Sequence, residues 1–447
     1  MQEHFQRRYL CNNWTELSQR VSRAISDGDA ALQTTFFNEI YNKRFLPAGN
    51  TLLAGTGDIT PNCAVLGYVT EDSFDEALKL SKKLWRAHVG IGYNLSGLDD
   101  PVAGLKRLSR ANDAIDLVHR PKRGNMAVLN AGHPRIREFV SCKAVDGELY
   151  NFNISVAVER DKPLDADLLD YIASLAWRTG DPGLIFLDRA GDYGPTRATD
   201  LPPVCTCVPC GEQFMHANET CNLGSVNLNA DTLMDATGRG IDYAKLGETV
   251  RIAVHFLDRV IDKLVFPSRQ LKRIAKRTRR IGLGVTGFAD LLARDKIPYA
   301  SQAALSLAKS LSTFITSVAE ATSEELAAQH GRCAYSEVHR NISLTCIAPT
   351  GGITGLTENR GYAIEPFFDE AIQLGFKAHI DMQMAWQSGI HNAVSKTVNL
   401  PSTATVAEVK ALYIYAARSG CKGITLYRDG CKRNQPRTVV RCIGCTA

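Results

Sequence analysis

The stretch CTCVPCGEQFMHANETCNLGSVNL, residues 205–228, is the densest cluster of cysteines in the chain and the part that decides its fold. Pro209 and Gly211 flank Cys210 and favour a tight turn that presents its thiol. Glu212 lies two residues further on, where a carboxylate could act as a base beside that thiol. Two alternatives stay open at this point, because the Cys-x-x-Cys spacing also suits half of a zinc site or a redox pair, and buried cysteines are often inert.

Predicted strands and helices alternate on both sides of this stretch. Short β-rich runs predict strands, apolar residues at helical spacing predict helices, and Thr405 with Glu408 forms a capping box before a helix that Gly420 ends. The predicted strands are residues 62–69, 150–158, 222–228 and 423–427, and the predicted helices are residues 14–41, 73–88, 166–179, 243–265 and 301–330. No linker rich in proline, glycine and serine divides the chain. The alternation predicts one large α/β unit, and a barrel fits its length better than an open sheet.

The composition narrows the class of protein. Of the 447 residues, 45% are apolar and 22% are charged, which is typical of a globular enzyme. The net charge of +5 gives no indication of a nucleic-acid groove. The first residues are polar, unlike a secretion signal, and no apolar run approaches the roughly 20 residues that span a bilayer. Thirteen unevenly clustered cysteines indicate functional thiols, so we expect a cytoplasmic protein with no membrane or nucleic-acid partner.

Three further stretches carry groups that could do chemistry. Cys63 follows Asn62 at the start of a predicted strand. Residues 348–353, APTGGI, could hold phosphate through backbone N–H groups, although a plain turn would have the same pattern. Cys442 and Cys445 form a CxxC pair close to the C-terminus, which suits thiol exchange by a mobile tail, with half of a zinc site as the alternative.

Together these stretches resemble one family. Val208-Pro209-Cys210-Gly211-Glu212 resembles the Asn-Pro-Cys-Gly-Glu signature of class II ribonucleotide reductases, which depend on adenosylcobalamin, and residues 219–228 resemble the stretch that follows it there. Similar stretches occur in the family's order along nearly the whole chain, at residues 44–47, 90–94, 123–129, 151–155, 177–183, 280–285, 348–353, 392–397 and 421–430. Chance does not produce so many stretches in the right order.

The resemblance implies a fold and a domain division. We expect a ten-stranded α/β barrel of the ribonucleotide reductase type, with a central finger loop that carries the radical cysteine. Residues 47–432 would form the barrel, after an N-terminal helical region of residues 1–46 and before a flexible C-terminal redox tail of residues 433–447. Because the chain begins close to the barrel, we expect no ATP-cone domain.

The resemblance also implies roles for the candidate residues. Cys210 would become the thiyl radical that abstracts the 3′ hydrogen of a ribonucleotide. Glu212 would take the 3′-hydroxyl proton and so assist loss of the 2′-hydroxyl as water. Cys63 and Cys221, which are distant in sequence, would supply two electrons and close into a disulfide.

Substrate binding is implied for two groups of residues. The turn after a predicted strand would hold the substrate phosphates through backbone N–H groups; its residues are Pro349, Thr350, Gly351, Gly352 and Ile353. Asn62, Gly90 and Gly92 would line the same pocket.

Val208 is the largest departure from the family. The family has asparagine there, whose amide is thought to hold the substrate ribose, and valine can neither donate nor accept a hydrogen bond. Such a loss typically costs about 1 kcal/mol. Three interpretations follow: a slower reductase, a site where another side chain compensates, or a relative that performs a different radical reaction. Cys205 and Cys207 are also unusual for the family and could mispair with Cys210 on oxidation.

Adenosylcobalamin is the radical source that the resemblance implies. Oxygen-dependent relatives bring the radical from a second subunit through paired tyrosines near the last strand, whereas this chain has only Tyr427 there. Glycyl-radical relatives carry a glycyl motif near the C-terminus, and the chain has none. We therefore expect no radical-generating second subunit. Since the sequence lacks Asp-x-His-x-x-Gly, we predict that no protein histidine replaces the cobalamin's own base and that no side chain ligates a metal.

Partners follow from the same resemblance. The substrate would be a ribonucleoside di- or triphosphate, a deoxynucleotide or ATP could act as effector, and the chain would form a homodimer, although residues 100–119, which serve dimerisation and effector binding in relatives, match only loosely. Cys442 and Cys445 would reduce the active-site disulfide and be reduced in turn by a thioredoxin- or glutaredoxin-like protein. The alternatives are a cobalamin-dependent radical enzyme acting on another nucleotide-like substrate, a nucleotide-binding relative with reduced activity, and a zinc-binding module.

Overall fold

Ten strands, formed by two sets that run in opposite directions, enclose the centre of the molecule. A computed structural model describes residue 6 and residues 8–116, 124–145, 147–159, 164–190 and 203–432. The first set contains β2 (Cys63–Thr70), β3 (Gly90–Gly97), β4 (Asn125–Asn130), β5 (Phe152–Val158) and β6 (Gly183–Phe186), each parallel to the next. The redox tail, with Cys442 and Cys445, lies outside the described residues.

The second set closes the ring. Its named strands are β9 (Glu219–Asn227), β10 (Ile281–Thr286), β11 (Thr397–Leu400) and β12 (Gly423–Arg428). A fifth segment lies between β10 and β11, since Thr345 forms a parallel bridge to Leu283 and Ile347 forms one to Val394. The two sets meet in antiparallel pairs, β2 with β9 and β6 with β12. Nine named strands and the segment around Thr345–Ile347 therefore make a closed ring of ten positions, as expected.

The helices cover the outside of this ring. Long helices are α1 (Trp14–Ser26), α2 (Ala30–Tyr41), α3 (Phe74–Arg86), α4 (Pro101–Asp113), α6 (Ala166–Thr179), α8 (Tyr243–Lys263), α9 (Arg269–Thr278), α11 (Gln302–His330), α14 (Phe376–Gln387) and α15 (Val406–Ser419). Shorter ones are α5 (Ile136–Ser141), α7 (Leu187–Ala190), α10 (Phe288–Arg294), α12 (Gly351–Thr354) and α13 (Phe368–Ala371). Among the described residues, no helix is long and apolar enough to cross a membrane.

Local signals in the sequence set several of these boundaries. Thr405 and Glu408 form both hydrogen bonds of a capping box at the start of α15, and Gly420 ends the helix in the left-handed conformation, as predicted. The interval predicted as one helix, residues 14–41, is instead broken into α1 and α2. The break occurs because Asp27 and Gly28 both have positive φ angles, of 57° and 86°.

Alternate residues of the strands enter different cores. On β2, Ala64 and Leu66 join the apolar core beneath the helices, whereas Val65 joins a cluster with the loop inside the barrel. On β4, Ala127 packs outward and Met126 inward in the same way. This two-residue period is that of a barrel strand. β1 (Phe45–Pro47) pairs with residues 224–226 of β9, whereas β2 pairs with residues 219–221 of the same strand. β1 so ties the N-terminal helices to the barrel.

Candidate active site

The loop between β6 and β9 forms a hairpin inside the barrel, here called the finger loop (residues 203–218). Its strands are β7 (Thr206–Cys207) and β8 (Phe214–Met215). At the tip, the Val208 amide donates to the Gln213 carbonyl at 2.9 Å, and the Gly211 amide donates to the Val208 carbonyl at 2.9 Å. Gly211 has φ of +78°, a conformation that glycine adopts without strain. The turn leaves the Cys210 thiol exposed, as the sequence predicted.

Three asparagines on the barrel wall fix the finger loop. Asn94 donates from Nδ2 to the Cys205 carbonyl at 2.8 Å, and Asn153 donates to the Pro209 carbonyl at 2.8 Å. Asn392 accepts from the Phe214 amide at 2.8 Å and donates to the Phe214 carbonyl at 3.1 Å. These bonds satisfy buried backbone groups that would otherwise be unpaired. The position of Cys210 is therefore fixed from three sides of the barrel.

Gly92 makes room for the finger loop. A β-carbon built on Gly92 would lie 2.1 Å from the carbonyl oxygen of Cys207, so any larger residue would push the finger loop out of place. Neither Gly92 nor Gly90 borders the cavity described below, and a role for them in substrate binding stays a prediction. Gly90 lies opposite Cys63 in the β2–β3 pair.

Cys63 and Cys221 lie directly opposite each other on the antiparallel strands β2 and β9. Neither cysteine forms a disulfide with another described residue. Directly opposed residues of such a pair have Cα atoms about 4.5–5.5 Å apart, within the range that a disulfide spans. Asn62 supports this junction, because its amide donates to the Cys221 carbonyl at 3.0 Å and its side-chain oxygen accepts from the Leu223 amide at 2.9 Å. The structure thus brings together two cysteines that are 158 residues apart in the sequence.

A cavity of about 460 Å³ lies against the tip of the finger loop. Among the predicted site residues, Cys210, Pro349 and Gly351 line it. Much of the rest of its wall comes from β5, β6, β12 and residues 394–399, with further residues from other parts of the chain. The lining includes Asn153, Ser155, Asp181, Gly183, Tyr362, Glu365, Lys396, Thr425, Tyr427 and Lys432. Eight other predicted site residues are not part of this lining: Glu212, Cys63, Cys221, Asn62, Val208, Thr350, Gly352 and Ile353. The cavity therefore meets the predicted site at its radical cysteine and at its phosphate turn.

Glu212 is buried just beyond the tip, with 2% of its surface exposed. Burial raises the pKa of its carboxyl group to about 7, because the charged form is poorly solvated there. Its Oε2 has no hydrogen-bond partner among the described residues. A carboxyl group that titrates near neutral pH and has an unpartnered oxygen is suited to accept a proton from a substrate.

The opposite side of the finger loop is apolar. Val208 is fully buried in a cluster that includes Val65, Cys205 and Cys221. Cys205 and Cys207 are buried too, and burial raises the pKa of the Cys205 thiol to about 12. Such thiols stay protonated and react slowly. No group of three or more His, Cys, Asp or Glu side chains within the described ranges is arranged to hold a metal ion.

The predicted phosphate turn follows the strand segment that bridges β10. Thr350 stands at its start with φ of +57°, and its Oγ1 accepts from the Ala363 amide at 2.8 Å. Space is open beside the turn, since a β-carbon built on Gly351 would have no atom within 4 Å. An anion could therefore approach the backbone here.

A buried cationic group on the cavity wall was not predicted. Lys396 is 3% exposed; its Nζ contacts Glu365 and lies 3.1 Å from Nδ1 of His379. His379 in turn lies 2.8 Å from the Ala371 carbonyl through Nε2. Burial, followed by the charge of Lys396, lowers the pKa of His379 to about 3, so the imidazole is neutral. Burial also lowers the pKa of Lys396, and Glu365 opposes that shift.

Tyr427 borders the same cavity as Cys210. Burial, together with the neighbouring Cys431 and Asp429, raises the pKa of its phenol to about 12. Four residues of this site lie in stretches that the sequence analysis quoted, yet no role was predicted for them: Asn94, Asn153, Asn392 and Lys396. A polar residue inside a predicted strand, where such residues are disfavoured, was the available signal for Asn153.

Comparisons with known proteins agree with this geometry. The sequence model of one protein family, the ribonucleotide reductase barrel domain, matches residues 162–343 and 357–427 of this chain. The vitamin B12-dependent ribonucleoside-diphosphate reductase of Mycobacterium tuberculosis (strain CDC 1551 / Oshkosh) is 32% identical over 90% of this chain and 72% of its own length. The protein of the same name from Thermoplasma acidophilum is 32% identical over 88% of this chain and 65% of its own length.

A solved structure shares the fold. The Actinobacillus ureae class Id ribonucleotide reductase alpha subunit superposes with a TM-score of 0.81 and covers 96% of each chain at 17% identity. Similarity at this level of identity concerns the fold alone. The prediction of a ten-stranded barrel of this type is confirmed.

Proposed function

The chain belongs to the ribonucleotide reductase family, and we propose that it converts ribonucleoside diphosphates to 2′-deoxyribonucleotides with a thiyl radical on Cys210. The names of the relatives at 32% identity favour a diphosphate substrate and dependence on vitamin B12. One observation carries the proposal: Cys63 and Cys221 face each other across β2 and β9 inside the barrel that holds Cys210 at its finger tip. That arrangement combines a radical carrier with a two-electron reductant.

The cavity beside Cys210 fits a cofactor's adenosyl group. Its volume of about 460 Å³ lies within the range of small-molecule sites, roughly 300–1,000 Å³. Most of the lining surface is apolar, the lining includes residues of β5, β6 and β12, and no histidine is among the described residues that line it. Residues 153–155, 183–185 and 423–427 would hold adenosylcobalamin at this wall. When bound, it supplies the radical that Cys210 carries.

The chain's own residues would then carry out the reduction. Cys210 takes the 3′ hydrogen of the ribose, and Glu212 accepts the 3′-hydroxyl proton, so that the 2′-hydroxyl leaves as water. Cys63 and Cys221 deliver two electrons and two protons and become a disulfide, after which Cys210 returns its hydrogen to the 3′ carbon. Overall, one ribonucleotide and two thiols give one deoxyribonucleotide, one disulfide and one water. Enclosure by barrel and substrate protects the radical from solvent.

Further turnovers need an external reductant. Cys442 and Cys445 would exchange with the Cys63–Cys221 disulfide and pass the oxidation to a thioredoxin- or glutaredoxin-like protein. Such chemistry suits the reducing cytoplasm, where we place the protein. Binding of a deoxynucleotide or ATP effector and homodimer formation are part of the same proposal.

A single-turnover experiment tests the function. The reduced protein is mixed with CDP and adenosylcobalamin without external dithiol, deoxycytidine product is measured by chromatography, and disulfides are mapped by mass spectrometry. We expect product in stoichiometric amount and a Cys63–Cys221 disulfide that forms only when substrate is present. A protein that makes no deoxynucleotide from any ribonucleotide, even with excess dithiol, would refute the proposal.

Two cysteine variants separate the reductant from the function as a whole. Cys63→Ser should form neither the disulfide nor product in repeated turnovers. Cys142→Ser is the matched control, since Cys142 is a buried thiol in the apolar core beneath the helices and should leave both unchanged. Product without a Cys63–Cys221 disulfide would support the proposed reductase activity and contradict the assignment of these two cysteines as the reductant.

A further inference from the structure

The N-terminal segment lies against the predicted phosphate turn. Tyr9 is fully buried and its hydroxyl donates to the Gly352 carbonyl at 3.1 Å. Arg20 of α1 fixes the same segment, because it donates to the Tyr9 carbonyl at 2.9 Å and to the Leu52 carbonyl at 2.9 Å. Two independent anchors, one to the turn and one through Arg20 to the Leu52 carbonyl, therefore fix the residue next to Arg8.

Arg8 precedes Tyr9, and its guanidinium reaches Gly352. A β-carbon built on Gly352 would lie 2.9 Å from Nη2 of Arg8, so the guanidinium lies directly against this glycine. Next to it, the space beside Gly351 is open. The guanidinium also lies over the Tyr9 ring, with its carbon 5.6 Å from the ring centroid.

No carboxylate within the described ranges forms an ion pair with Arg8. Its position is nevertheless defined by the buried tyrosine beside it, and its charge faces the side of the turn where an anion could approach the backbone. A planar guanidinium binds phosphate oxygens in pairs, with hydrogen bonds stronger than those of neutral donors. A fixed cation without an acidic partner is therefore available to a bound phosphate.

We infer that Arg8 binds the terminal phosphate of the nucleotide substrate together with the turn of residues 349–353. This inference rests on the proposed function and adds to it a specificity-determining residue from outside the barrel. Because the phosphates are remote from the ribose, the interaction is the same before and during the reaction. Removing it should raise KM and leave kcat nearly unchanged.

Binding measured by calorimetry tests the inference without turnover. CDP, cytidine and inorganic pyrophosphate are titrated separately into the reduced protein and into Arg8→Gln, Arg8→Lys and Arg23→Gln variants. Arg23 is an exposed arginine on α1, so its variant has the same charge change away from the turn. We expect Arg8→Gln to weaken CDP binding by about 10- to 100-fold, the loss typical of hydrogen bonds to a charged group. Arg8→Lys should restore part of the affinity, and Arg23→Gln should bind as the unaltered protein does.

The possible results distinguish a failure of the inference about Arg8 from a failure of the proposed function. If CDP binds the unaltered protein and Arg8→Gln equally, the inference about Arg8 is wrong and the reductase proposal stands. If cytidine loses as much affinity as CDP in Arg8→Gln, the residue acts on the fold of the site and not on phosphate, which also overturns the inference. If the unaltered protein binds no nucleotide, the proposed function fails, and the role of Arg8 fails with it.

Discussion

Cys210 and Cys207 lie three residues apart in one hairpin and both border the cavity, yet the exposure of the two residues differs. Cys207 is fully buried, and burial, followed by the charge of Glu212, raises the pKa of its thiol well above its usual range. Cys210 is exposed at the tip and borders a cavity of about 460 Å³. A cysteine-rich stretch thus supplies several candidate thiols, and the turn at Gly211 leaves Cys210 exposed while Cys207 is buried.

The largest expected effect on turnover comes from replacing Cys210, and the same replacement at Cys207 should have little effect on it. Cys210→Ala should lower deoxynucleotide formation by at least about 10⁴-fold, since it removes the only proposed radical carrier. Cys207→Ala should cost roughly 1 kcal/mol of stability for its small cavity and leave turnover nearly unchanged. Chromatographic assay of product and denaturant unfolding of both variants check this. Product from Cys210→Ala that depends on adenosylcobalamin would show that another thiol carries the radical.

Glu212 gives the next largest effect and a pH dependence. Glu212→Gln should lower kcat/KM by about 10²–10⁴-fold, the usual contribution of a general base. Since burial raises the pKa of Glu212 to about 7, its deprotonated, active form grows as pH rises through that value. The kcat/KM of the unaltered protein should therefore rise from pH 6 to pH 8 and then level off.

The matched control for Glu212 is an exposed glutamate. Glu76 lies on the surface of α3, and Glu76→Gln should keep both the rate and the pH profile. A Glu212→Gln variant that retains the inflection near pH 7 would assign that inflection to another group. A full-rate Glu212→Gln variant would remove Glu212 from the mechanism.

Local parts of this fold could be predicted from the sequence, because their signals lie within a few residues. α6 was predicted with both ends, since Asp165 caps its first turn and Gly180 ends it. The capping box of α15 was predicted for the same reason. The split between α1 and α2 was missed because Asp27 adopts the left-handed conformation, which its residue type permits but does not require.

The long-range parts could not be derived from pattern. The register that places Cys63 opposite Cys221 depends on the whole barrel, and only the resemblance to a family suggested the pair. The ring closes through single bridges at Thr345 and Ile347, in a segment where a strand was predicted before the phosphate turn but its pairing partners could not be. Lys396 was overlooked because a lysine with a buried charge is unusual, and the Glu365 partner that permits it is 31 residues away.

The Val208→Asn variant tests the apolar side of the finger loop, where the family has asparagine and this chain has valine. Val208 is fully buried among apolar side chains and thiols, so an amide there would lose its contacts with water. We expect the variant to lose about 1–3 kcal/mol of unfolding free energy without a gain in turnover. Denaturant melts and the product assay measure both. Higher turnover would show instead that the amide reaches the substrate and that valine slows this enzyme.

Tyr427 should give the smallest effect, although it borders the cavity of Cys210. Its phenol, with pKa raised to about 12, stays neutral at working pH, and a radical that arises from a bound cobalamin does not need it. Tyr427→Phe should therefore change turnover by less than about threefold, equivalent to ~0.6 kcal/mol in the barrier, and should leave the substrate-dependent cob(II)alamin EPR signal intact. A loss of more than 100-fold, with activity of the unaltered protein that requires an added protein instead of adenosylcobalamin, would place Tyr427 on a radical path from a second subunit. In that case the exposure of Cys210 would serve a different radical source, and the contrast with Cys207 would still hold.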